Sequence, residues 1–262
     1  MIEYGILSIF YHNDQDGYGS SKSAPDRLPA RNRYYYEVWA EFINKLLGPR
    51  VPVIIINGSP HVHPVNFYFH YPNFEFLELK GMLPPGNPTA HHYNFRLGLW
   101  AGFNALKQKG IKYGAHVEQD MLVSGKQWLP RCVQSMKRNH ADILGFRVAD
   151  LNWFATEFFI ADVDFWVKNK WMMSPALKKG VYMRAEQLFD VYLKHVKTNL
   201  LDWKQMRGAR DTHPDPCGVN GITYAHHRNP DELLRFLDTC GVKSEHVDML
   251  KHFITRKIAA SA

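Results

Sequence analysis

Ile111-Lys112-Tyr113-Gly114-Ala115-His116-Val117-Glu118-Gln119-Asp120 is a mainly apolar run that ends in two carboxylates. Its first seven residues predict a buried strand, with Gly110 before it and the acids after it. Glu118 and Asp120 then stand at the carboxyl end of that strand, the edge at which open α/β sheets bind ligands. Two carboxylates desolvated there without a counter-charge are costly, so a cation is a natural partner. Hard oxygen donors favour Mg²⁺ or Mn²⁺, ions that also neutralise a diphosphate. Spacing alone says little: 25 acids in 262 residues give roughly two acid-x-acid triplets by chance. The chain also has Asp14/Asp16, in a Gly/Ser-rich loop where turn formation explains acids. Asp162/Asp164 falls in an apolar strand-like run, where alternation puts both carboxylates on one face. A plain strand-end turn is the alternative reading of Glu118 and Asp120.

Outward from this run, short apolar segments alternate with longer amphipathic ones, the pattern of strands separated by crossover helices. Toward the N-terminus the sequence predicts strands at 5–11, 51–56 and 74–79, and helices at 34–47 and about 89–109. A long polar loop, residues 12–33, follows the first strand. Toward the C-terminus it predicts a helix at 125–139 and strands at 142–148 and 157–166. The last third reads as mainly helical around a short strand at 221–224. Nothing divides the chain cleanly, which predicts one α/β domain.

Composition bounds the partners. The net charge is +7 and the pI about 9.2, which suits an anionic ligand of any kind. The basic residues are dispersed and no recognition motif appears, which argues against nucleic acid. Cys132, Cys217 and Cys240 have no paired spacing, so neither a disulfide framework nor a cysteine zinc site is expected. No apolar run approaches the roughly 18 residues of a membrane span, and the N-terminus lacks the pattern of a secretory signal. A soluble, cytoplasmic protein is expected.

Four further groups invite chemistry. His226-His227 follows the apolar 221–225 run; adjacent side chains diverge, so at most one would join the same ion. The alternative is a surface pair before the helix cap at 229–231. Glu186 opens an apolar helix, where an acid serves the helix dipole or, facing a cleft, acts as a general base. His91-His92 and His61-x-His63 lack partners at fixed spacing and are expected in loops or the cleft wall.

The order of these elements resembles the GT-A fold of nucleotide-diphospho-sugar transferases, and most of all the glycosyltransferase family 2-like group. The residues that carry the likeness are Tyr11-His12-Asn13 after the first strand and Asn57 after the second. The helix with Asn94-Phe95-Arg96-Leu97-Gly98, Glu118-Gln119-Asp120 in place of the DxD motif, Glu186-Gln187 in place of Glu-Asp, and His226 or His227 complete it. The resemblance spans about residues 4–230. It implies a mostly parallel central sheet flanked by helices, with a nucleotide-binding half at about 1–123 and an acceptor half at about 124–262. It implies that Tyr11, His12, Asn13, Asn57, Arg96, Glu118 and Gln119 hold the nucleotide, and that Asp120, Glu118 and one of His226 and His227 hold Mn²⁺ or Mg²⁺. Glu186 falls where an inverting enzyme has its base, and Trp153, Glu157 and Asp162 fall on the acceptor side.

The expected activity is metal-dependent transfer of a sugar from a UDP or GDP sugar to a hydroxyl of a carbohydrate or glycosylated acceptor, with inversion. Should Glu186 not be the base, Glu157, Asp162 and Asp164 come next. A sugar-nucleotide nucleotidyltransferase shares the architecture, but such enzymes open with a glycine-rich, arginine-containing phosphate loop where this chain has Tyr11-His12-Asn13-Asp14. A nucleic-acid-binding module and a zinc hydrolase rank lower, the latter for want of His-Glu-x-x-His spacing.

Overall fold

β-Branched and aromatic residues with strict alternation build the centre of the protein. In β1 (Tyr4–Phe10), Ile6 and Phe10 belong to one buried cluster and Leu7 and Ile9 to another, on the opposite face. β2 (Val53–Asn57) repeats the division with Val53 and Ile55 against Ile54 and Ile56. A strand buried on both faces needs helices on both, and the sequence supplies them. The computed structural model describes residues 2–10, 33–59, 63–68, 70–83, 90–148, 153–154, 156–169, 200–206, 213–214, 223–226 and 230–261.

Helices α1 (Arg33–Leu47), α2 (Val65–Tyr68) and α3 (Ala90–Gln108) lie between the first strands, which continue as β3 (Phe74–Glu78) and β4 (Tyr113–Val117). Then come β5 (Met121–Ser124), α4 (Trp128–Arg138), β6 (Ile143–Val148), β7 (Trp153–Phe154), β8 (Phe158–Asp162) and α5 (Val163–Lys168). β9 (Leu200–Met206), β10 (His213–Pro214), β11 (Thr223–His226), α6 (Pro230–Thr239) and α7 (Glu245–Ser261) complete the described elements.

The main sheet has the order β3-β2-β1-β4-β8-β6-β7, with β9 beside β6. β3, β2, β1 and β4 pair in parallel. β8 is antiparallel to both β4 and β6, β7 is antiparallel to β6, and β9 is parallel to β6. Six of the eight strands therefore run one way, as a mostly parallel sheet requires, with β8 and β7 against them. α1, α4, α6 and α7 supply the core on one face, and α3 and α5 that on the other.

α3 sits close to the sheet because β4 carries a glycine beneath it. A Cβ on Gly114 would lie 2.7 Å from Cε1 of Phe103 and 2.8 Å from Cδ1 of Leu106. Phe103 in turn stacks on Trp166 of α5, ring centroids 4.6 Å apart, and on Phe159 of β8 at 6.1 Å.

Two sequence expectations are corrected, and one strand is added. Residues 121–124, to which the sequence assigns no element, form β5 and pair antiparallel with β11 in a small sheet of order β10-β11-β5. The strand expected at 157–166 stops at Asp162, whose Oδ1 accepts the Phe165 N–H at 2.9 Å and caps α5, a preferred capping role for aspartate. The mainly helical last third contains β9, a strand parallel to β6. The helix opened by Glu186 lies outside the described residues. Among those described, no helix is long and apolar enough to cross a membrane.

Candidate active site

Parallel strands deliver their ends to a common edge, so the register fixes which residues meet there. β1 and β4 pair through Leu7↔His116. Beyond that pair, the buried Ser8 hydroxyl donates to the Val117 carbonyl at 2.7 Å. The Glu118 N–H donates to the Glu157 carbonyl at 2.9 Å and the Met121 N–H to the Glu118 carbonyl at 3.0 Å. Glu118-Gln119-Asp120 is thus a hydrogen-bonded β-turn between β4 and β5. Turn and strand-end acid pair are one feature, with Gln119 buried, Glu118 and Asp120 partly exposed, and Asp120 Oδ1 turned out of solvent.

The charge of Asp120 reaches its surroundings. Burial first, and the Asp120 carboxylate second, push the Tyr35 phenol well above its ordinary value. On the other side, Asp120 and the Thr156 carbonyl favour protonation of His116, but burial outweighs both and holds that imidazole down at about 4. His116 has no exposed surface. Its ring lies between those of Phe95 and Phe159, each 5.4 Å away, and its Nδ1 is 2.9 Å from the Thr156 carbonyl oxygen. Its Nε2, the Gln119 amide nitrogen and one Glu157 carboxylate oxygen are buried without hydrogen-bond partners.

The neutral His116 makes stability pH-dependent. Folding lowers its pKa below the roughly 6.5 of a free imidazole, so the unfolded chain binds the proton first. Its contribution is fully present above about pH 6.5 and is lost as pH falls toward 4, by about 3 kcal/mol in all. Urea midpoints between pH 7.5 and 4.5 should fall for the native chain and much less for His116→Leu; parallel curves would refute this.

At the neighbouring strand ends, Asn57 is 5% exposed. Its Nδ2 donates to both carboxylate oxygens of Glu78, at 3.0 and 3.1 Å, and its Oδ1 accepts the Ser59 N–H at 3.0 Å. His63 Nε2 lies 3.0 Å from Glu78 Oε1. Arg96 is nearly buried on α3, and burial lowers its guanidinium pKa. Asn94, two residues earlier, braces the start of that helix through both the N–H and the carbonyl of Leu83.

The structure brings some expected residues together and parts others. The end of β11 returns to the acid turn, with His226 opposite Met121, the residue after Asp120. Glu157 stands beside Glu118. Asp162, expected on the acceptor side, pairs with Tyr113 at the opposite end of β4 and serves as the cap of α5. Trp153 is described in its backbone alone, opposite Val148. Tyr11, His12, Asn13, Glu186 and His227 lie outside the described residues. Among those described, no group of three or more His, Cys, Asp and Glu side chains is placed to hold a metal. His116, Thr156 and Glu78 were not anticipated. An imidazole within an otherwise apolar strand was the visible signal for the first.

No family model matches the chain, and no curated protein is similar to it in sequence. Among solved structures, it superposes on a Bacillus anthracis protein assigned as a glucose-1-phosphate thymidylyltransferase, at 12% identity and a TM-score of 0.52. The match covers 94% of this chain and 99% of that one. The chain has the GT-A-like, nucleotide-diphospho-sugar transferase fold. A Desulfovibrio desulfuricans protein assigned as a nucleotide-diphospho-sugar transferase matches at 13% identity and TM-score 0.46, over 77% of this chain and 80% of that one. A galactosyltransferase in complex with donor and acceptor sugar analogues matches at 9% identity and 0.48, over 98% and 95%. Within this GT-A-like fold, the acid turn occupies the end of the fourth parallel strand, beside the return of β11.

Proposed function

We propose that the protein is a metal-dependent glycosyltransferase, moving a sugar from a UDP or GDP sugar to a hydroxyl of a carbohydrate or glycosylated acceptor, with inversion. The observation that carries this is the Glu118-Gln119-Asp120 turn at the carboxyl edge of β4, with β11 directed back onto it. The donor set fits a hard divalent cation: two carboxylates separated by one residue, with a histidine at the returning strand end. Asp120 and Glu118, with His226 or His227, would hold Mn²⁺ or Mg²⁺, which when bound supplies neutralisation of the leaving diphosphate.

The chain's own groups do the rest. Asn57, fixed by Glu78 and Ser59, gives the β2 end a set orientation beside the nucleotide. Arg96, with Tyr11, His12, Asn13 and Gln119, completes the nucleotide contacts. Glu186 takes the proton from the attacking hydroxyl. Glu157 and Trp153 lie on the acceptor side, and Glu157, which has a buried carboxylate oxygen and whose backbone carbonyl accepts the Glu118 N–H, is the next candidate base. In this reading the nucleotide half extends to about residue 123, and the reaction takes place in the cytoplasm.

A sugar-nucleotide nucleotidyltransferase is the second reading, because the Bacillus anthracis neighbour is assigned that kind of activity. One panel separates the two. Melting curves with nucleoside diphosphates and triphosphates, with and without Mn²⁺, should show stabilisation by UDP or GDP that requires the metal. Stabilisation by a nucleoside triphosphate with sugar phosphate alone favours the second reading, and no response to any nucleotide refutes both.

A further inference from the structure

We propose that His116 is a positioning residue that sets the geometry of the acid turn through the backbone of the neighbouring strand. This rests on the reading of that turn as the donor site. The imidazole is wholly buried between Phe95 and Phe159. An apolar side chain of similar size would pack there without leaving a ring nitrogen unsatisfied, as Nε2 is. Packing alone therefore does not account for a histidine. The feature that an apolar residue lacks is Nδ1, 2.9 Å from the Thr156 carbonyl. In the neutral ring, this geometry puts the proton on Nδ1, which donates to that oxygen.

Thr156 belongs to the bend that leads into β8. The β4–β8 ladder ends at Val117↔Phe158. Past that pair, the bend is held to β4 by the bond from His116 Nδ1 to the Thr156 carbonyl, and to the turn after β4 by the bond from the Glu118 N–H to the Glu157 carbonyl. The second anchors the first residue of the acid turn. Its length and direction depend on where the bend sits, and the first bond holds the bend. Thr156 is buried as well, which shields the His116 bond from competing water. Thr156-Glu157 and Glu118-Gln119-Asp120 thus move as one piece, with His116 as the tie between them.

The test uses three variants of the full chain. His116→Asn offers an amide N–H close to the position of Nδ1, His116→Gln moves the N–H outward toward that of Nε2, and His116→Leu removes it. Dissociation constants for UDP and GDP with Mn²⁺ are measured beside melting temperatures. The expected result is affinity close to that of the native chain for Asn, and a loss of about tenfold or more for Gln and Leu, the scale of losing an outer partner of a metal site. Equal affinity in all three, or losses that simply follow melting temperature, would overturn the proposal. Amide exchange at 118–120 provides a reading independent of nucleotide. Faster exchange in Gln and Leu than in Asn supports the tie even if the native chain binds no nucleoside diphosphate, a result that would sink the donor-site reading alone. Exchange equal in Asn and Gln overturns the tie itself.

Discussion

Asp120→Ala is expected to lower metal-dependent nucleotide binding and sugar transfer by more than about 100-fold, beyond the loss typical of a mere outer partner of a metal site. The melting temperature should stay close to that of the native chain. Asp120 lies in a turn and is partly exposed, so alanine leaves no large cavity. The carboxylate also imposes a field on the buried Tyr35 phenol, and removing a charge beside a buried group costs the fold little. The loss should therefore appear in function and not in stability. Near-native turnover of Asp120→Ala, measured at saturating Mn²⁺, would remove the acid turn from the mechanism. Asp120→Asn keeps the volume and one oxygen, and is expected to retain part of the binding while losing most of the transfer.

Phe103→Ala should produce the opposite pattern, a large loss of stability with the site chemistry unchanged in kind. Phe103 has no exposed surface and stacks on Trp166 and Phe159. Its ring occupies the space that the missing Cβ of Gly114 leaves open. Alanine there would leave a cavity bordered by two rigid rings and a glycine, none of which can move in to fill it. The expected cost is in the middle of the range for Phe→Ala, about 4 kcal/mol, or a fall in melting temperature of roughly 10 °C. A change below about 1 kcal/mol, read from the urea midpoint at constant slope, would show that α3 and α5 collapse onto the strand.

The parallel half of the sheet was legible in the sequence because its signals are local. Each of β1, β2 and β4 is a short apolar run closed by a polar residue or glycine, and α1 and α3 carry helical periodicity with stop signals. The acid turn was legible for the same reason. β5 was not, because four residues carry no period, and its partner β11 lies far along the chain. β9 was missed because Leu200-Leu201-Asp202-Trp203 suits a helix face as well as a strand; only its place beside β6 decides. The end of β8 was readable in principle: Asp162 directly before Val163, with Asp164 in the first turn, is a helix-start signal, overridden by the apolar run around it. Of the site, the sequence showed Glu118, Asp120 and Asn57, whose positions follow from strand ends. Glu78 and Thr156 act through hydrogen bonds across strands, and no spacing along the chain announces such bonds.

The pairing of β5 with β11 also bears on how the protein is made. β1 to β4 can assemble from the first 117 residues, each strand finding a partner already synthesised. β5 must wait for residues 223–226, roughly 100 positions later, a long-range closure of the kind that slows folding. Until then a nascent chain on the ribosome presents an open apolar strand edge next to the acid turn, a template for pairing with other chains. Premature termination between residues 124 and 223 would thus yield a half-sheet with a sticky flank, so aggregation is the failure to expect from such fragments.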